Sequence, residues 1–69
     1  MEKPKDIPMT HWILCNIFAL RFAQQNGWYA GVSNYKDVKK DDYGYETFKQ
    51  GLNTAVVTYR FWTKNLKLM

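Results

Sequence analysis

A mainly α fold, built from helices at about 10–26 and 42–66 joined by an aromatic loop, is predicted by three features of the sequence. Tyr45, Phe48, Leu52, Ala55, Tyr59, Trp62 and Leu66 recur at alternating three- and four-residue steps, the spacing of one helix face held over six turns. His11 to Asn26 is apolar nearly all round and ends in Asn26-Gly27, a helix stop. Between these stretches the period fails and glycine, serine and asparagine cluster.

Residues 1–8 read as a flexible lead-in and 9–69 as a single small domain, because Pro8 pushes the residue before it out of the helical region. Thr10 is then expected to cap the first helix with its hydroxyl. Along that helix Trp12, Ile13, Leu14, Ile17, Phe18, Leu20 and Phe22 cover most of the circumference, a pattern that calls for surroundings on every side. Trp28, Tyr29, Val32, Tyr35 and Val38 punctuate the loop, with a helical turn expected at 34–39, and their rings are expected to lid the core. The balanced charges of Lys36 to Asp42 mark an exposed turn, and Asp41 or Asp42 is expected to cap the second helix, where negative charge meets the positive end of the helix dipole.

The second helix has a competitor. Residues 54–62 are rich in β-formers and half alternate, which offers an α+β alternative with a strand there. The other side of such a strand mixes Val56 and Trp62 with Thr58 and Arg60, however, whereas the helical stripe keeps phase across Gly51. One continuous helix is expected; glycine inside a helix costs about 1 kcal/mol relative to alanine, so a break or kink near Gly51, recapped by Asn53 or Thr54, is the alternative to it.

Sixty-nine residues make one domain that buries only about 60% of its unfolded surface. A composition 46% hydrophobic and 17% aromatic nevertheless excludes a disordered tail. So much aromatic surface on so short a chain predicts packing against a second copy, as a homo-oligomeric bundle, or against another protein. Cys15 has no second cysteine to pair with, which favours a reducing, cytoplasmic setting. The apolar run from Met9 to Ala23 is interrupted by His11, Asn16 and Arg21, lacks a small-x-small site after it, and falls short of the ~20 residues that span a bilayer. Membrane association is not expected.

At 100° per residue the second helix divides into three surfaces. The main stripe is core or oligomer seam. A narrow stripe of Tyr43, Val57, Phe61 and Leu68 lies opposite, and either the loop, through Trp28 and Tyr29, folds over it or a partner does. If it is open, Tyr43, Val57 and Phe61, with the loop rings Trp28, Tyr29 and Tyr35, are the candidate protein-binding residues, since buried aromatics dominate interfaces. The third strip carries Lys49, Asn53, Arg60, Lys64 and Lys67. It holds the whole net charge of +4, because residues 1–46 carry six basic and six acidic side chains. Such a strip can follow phosphates, so nucleic-acid binding through it is the alternative function, although no helix-turn-helix, zinc or RNA-binding signature accompanies it.

Chemistry-bearing constellations are sparse. His11 and Cys15 stand one helical turn apart, a spacing two metal ligands can use, but a structural zinc site needs four and the chain has no other His or Cys. Ser33 has no identifiable base, and no glycine-rich phosphate loop occurs. The sequence therefore predicts no catalytic residues, no metal and no cofactor. The expected function is that of a small non-enzymatic interaction protein, an inhibitor, adaptor or regulator that binds a larger protein through an exposed aromatic surface.

Overall fold

The structure is a computed structural model that describes residues 2–68, with side chains through Leu66. Two antiparallel helices, α1 (Met9–Gln25) and α2 (Tyr45–Leu68), are joined by a loop carrying one 3₁₀ turn, Tyr35–Asp37. The mainly helical reading holds, and among the described residues there is no strand. Residues 54–62, the proposed strand of the alternative, lie inside α2.

Helix α1 starts one residue earlier than the sequence suggests and without a side-chain cap. Pro8 stands at its entry in extended conformation, and its carbonyl accepts the first helical bond from the Trp12 N–H at 2.9 Å. Thr10, expected to be the cap, lies in the first turn instead, because the fixed φ of Pro8 already sets the entry angle. The other end follows expectation. Gly27 takes φ +93°, the Trp28 N–H reaches back to the Ala23 carbonyl and the Gly27 N–H to that of Gln24, both at 3.0 Å. This paired closure satisfies carbonyls that the helix end would otherwise strand.

The loop is anchored by a side chain of α1. The Gln24 amide donates to the carbonyls of Tyr29 (3.2 Å) and Val32 (2.8 Å), holding the chain against the helix it has just left. Asn34 then opens the 3₁₀ turn by accepting the Lys36 N–H on its side chain at 2.9 Å.

Neither Asp41 nor Asp42 caps α2. The first helical bond runs from the Phe48 N–H to the Gly44 carbonyl at 3.1 Å, so Gly44 holds the entry position. The reason is steric: a Cβ on Gly44 would lie 2.7–2.8 Å from the Trp28 side chain, so glycine is required where the indole seats.

No break occurs at Gly51, and α2 is continuous. A Cβ there would lie 2.9 Å from the Phe22 side chain, so the missing side chain lets the helices approach closely. The core forms around this crossing from Trp12, Cys15, Ala19, Leu20 and Ala23 of α1 and Phe48, Leu52 and Val56 of α2. Burial of each of the larger apolar side chains contributes about 1.5–3 kcal/mol. Ile7, fully buried, joins them from the segment read as a lead-in, so the core begins ahead of α1. Asn16, the one buried polar residue among those described, is satisfied by donating to the Trp12 carbonyl at 2.8 Å.

Candidate interaction surface

The two helices differ in length, and the surface follows from that. At 1.5 Å per residue the 17 residues of α1 span about 26 Å and the 24 of α2 about 36 Å. The start of α1 is level with Tyr59, whose ring lies 4.5 Å from that of His11. Beyond this point α2 outruns α1, with the segment ahead of α1 beside one flank through the Asp6–Arg60 pair, within an overall envelope of 41 × 20 × 18 Å.

The main stripe is therefore divided. Phe48, Leu52 and Val56 are buried within the chain, and Tyr45, Ala55 and Tyr59 are partly covered. Trp62 and Leu66, in phase with them, remain 60% and 65% exposed because α1 has ended. The period assigns these positions to one face but carries no information on how far the opposing helix reaches.

Val57 and Phe61 are also open, at 54% and 61% exposure. The expected cover by Trp28 and Tyr29 does not form. Gln24 and Gly44 hold the loop at the far end of the hairpin, and Val57 lies about 20 Å along α2 from Gly44. Tyr43, 93% exposed, stands in the turn before α2 and so is not part of the helical stripe. Phe61 meets Trp62 edge to face, with centroids 6.0 Å apart at 84°. The loop rings serve the core instead: Tyr29 and Tyr35 pack against it, and Trp28 lies on Gly44 while keeping an exposed edge. Burial, with lesser contributions from Asp42 and Tyr45, raises the Tyr29 phenol above the usual tyrosine value.

The basic strip is partly neutralised within the chain. Arg60 makes a two-pronged pair with Asp6, Nε to Oδ2 at 2.8 Å and Nη2 to Oδ1 at 3.0 Å. That bond to Arg60, above all, holds the Asp6 carboxyl below its ordinary value, and it raises Arg60 in turn. Lys49 pairs with Glu46 at 3.4 Å and sits 5.7 Å from the centroid of the Tyr45 ring. Asn53 and Lys64 are exposed, and the Lys67 side chain lies outside the described residues. The row of cations that phosphate tracking needs is thus interrupted by carboxylates at Lys49 and at Arg60.

A feature the sequence reading missed is an apolar groove of about 210 Å3 between the helices, lined by His11, Leu14, Cys15, Phe18, Ala55 and Thr58. Its trace in the sequence is the row Gly51, Ala55, Thr58, small residues at four- and three-residue steps that keep one flank of α2 low. Cys15 is buried beneath it, and that burial raises its thiol, keeping it in the poorly nucleophilic neutral form. Among the described residues no three His, Cys, Asp or Glu side chains converge as metal ligands, and no helix is long and apolar enough to cross a membrane. In comparisons with known protein families, curated proteins and solved structures, the chain has no match.

Proposed function

We propose that this chain is a non-enzymatic interaction protein that occupies a surface of another protein through Val57 and Phe61 on the outer half of α2. The observation that carries the reading is the open position of these two side chains on a continuous helix, one turn apart and with no loop over them. A valine–phenylalanine pair held on a helix is ordered before binding, so its burial loses little conformational entropy, and a large aromatic at the centre of a contact is the usual hot spot. The mode is an amphipathic helix laid into an apolar groove of the partner. The basic strip gives the nucleic-acid alternative little support, since Arg60 and Lys49 are already engaged by carboxylates.

A photo-crosslinking residue placed at position 57 or 61 in cells is expected to trap one defined protein, and the same residue at Asn53 is not. Phe61→Asp is expected to lower recovery of that protein at least tenfold while the helix content of the chain is unchanged. Equal recovery by wild type and Phe61→Asp would show that this stripe is not the binding surface.

A further inference from the structure

The hairpin is covered unevenly. On one edge of the helix pair the core is closed by chain: Val32, Tyr35 and Val38 of the loop pack there, and Ile7 and the Asp6–Arg60 pair close it further along. The opposite edge holds the open groove between Leu14 and Phe18 of α1 and Ala55 and Thr58 of α2. On the helical projection Thr58 and Ala55 lie on the same flank of α2 as Trp62, so groove and projecting indole form one continuous surface.

That surface carries no charge from α2. Projected at 100° per residue, Glu46, Lys49, Arg60 and Lys64 all fall in a strip about 60° wide on the far side of the helix. Thr58, Ala55, Trp62 and Asn65 occupy the groove side. A ligand with its own charge gains nothing here, whereas an uncharged apolar helix meets no penalty.

We infer that this edge is closed by a second copy of the chain, with the two α2 helices antiparallel about a two-fold axis between Thr58 and Tyr59. Such an axis sets position 62 of one copy opposite position 55 of the other. Trp62 of each copy thereby enters the groove floored by Ala55 of its partner, and Leu66 reaches the level of Gly51, over Phe18 and Phe22. The arrangement is self-complementary, as a two-fold contact requires, because each chain offers both the knob and the hole. The groove, about 210 Å3, is of the size an indole side chain fills. Ala55 and Thr58, being small, allow the second helix to approach.

The area fits as well. From the exposures of Trp62, Leu66, Leu14 and Phe18, the apolar surface left open on each chain is roughly 450 Å2. A standard interface takes about 600–1,000 Å2 from each partner, of which about two thirds is apolar in homodimers, so the patch supplies the apolar part of one such contact. Val57 lies about 140° round α2 from Trp62 and stays outside the pair, and Phe61, about 100° round, touches it only through the edge of the indole, so this inference stands apart from the partner site proposed above.

Sedimentation equilibrium of the full chain is expected to give a dimer in the micromolar range. Trp62→Glu is expected to weaken association at least a hundredfold with unchanged circular dichroism, while Val57→Asp leaves the dimer in place. In a Cys15→Ala background, Thr58→Cys sits beside the axis and is expected to form a disulfide-linked dimer under mild oxidation, and Asn53→Cys on the charged side is not. A folded monomer at 100 μM would overturn the inference, whether or not it binds anionic vesicles or another protein. So would a dimer that Trp62→Glu leaves intact, or crosslinking no stronger at position 58 than at 53.

Discussion

Arg60 reaches across 54 positions of sequence to hold Asp6 in a two-pronged ion pair, and so fixes the segment ahead of α1 against the outer half of α2. Its linkage to pH has a definite sign. The carboxyl is lowered in the folded chain, so the unfolded chain takes up the proton first as pH falls. The stabilising contribution is present above the unfolded value, about 3.9, and is lost as pH falls through the folded one. Both side chains are more than half exposed or close to it, so screening keeps the effect small. Thermal melts of wild type and Asp6→Asn are expected to differ slightly from pH 7 to 5 and to converge as pH falls below the unfolded carboxylate value, with the gap shrinking in 0.5 M salt. A gap that widens in acid would contradict the pairing.

That pair serves a larger packing element beside it. Ile7 is fully buried, although it precedes α1 in a stretch broken by two prolines. Ile7→Ala is expected to cost about 2–5 kcal/mol in urea unfolding, the range for emptying a closed core site. Met9→Ala, two residues later at an exposed position, should stay within about 0.5 kcal/mol. Similar small losses from both would show that the core begins at α1 after all.

The contrast explains what the sequence could and could not reveal. The number of helices, the phase of the Phe48–Leu52–Val56 stripe and the stop at Asn26-Gly27 are local properties, set by spacing and by the conformational freedom of one glycine, and they were legible. The burial of Ile7, the pairing of Asp6 with Arg60 and the end of α1 level with Tyr59 depend on where distant segments meet, and no local period encodes that. The same limit applies to the candidate surface. Val57 and Phe61 could be singled out as apolar residues off the main stripe, but whether the loop reached them depended on Gln24 and Gly44, which tie it down elsewhere. The groove beside Cys15 needed two helices in register before it existed, and only the small-residue row Gly51, Ala55, Thr58 hinted at it.

Gly51 shows how one residue can be misjudged on local grounds. Helix propensity alone favours Gly51→Ala by about 1 kcal/mol. The added Cβ would instead lie 2.9 Å from Phe22 Cβ and Cδ1, a contact that forces the helices apart, and overpacking of this kind costs about 1–3 kcal/mol. The net expectation is destabilisation by about 1 kcal/mol, read as a lower urea midpoint. The double variant Gly51→Ala with Phe22→Ala should lose less than the sum of the two single changes, because removing the ring makes room for the methyl group. Additive losses would mean that Phe22 is not what opposes the methyl group.

Tyr29 concentrates two unfavourable features. Its φ of +58° is a left-handed conformation that a bulky residue seldom adopts, and its hydroxyl is buried with no hydrogen-bond partner among the described residues. The backbone is held by neighbours on both sides: the Tyr29 carbonyl accepts from Gln24 at 3.2 Å and from the Val32 N–H at 3.0 Å. The ring packs against the core, so the side chain gains burial at the expense of an unsatisfied oxygen. Tyr29→Phe keeps the ring and the backbone strain and removes only the oxygen, so it isolates that second cost. A buried polar group left without a partner is unfavourable by about 1–3 kcal/mol, and part of this is expected back as a higher urea midpoint, about 1 kcal/mol more stable. Tyr29→Ala, which discards the ring, should be destabilising by contrast. If Tyr29→Phe instead lowers the midpoint by 1 kcal/mol or more, the hydroxyl is bonded in solution and its burial is not a defect of the loop.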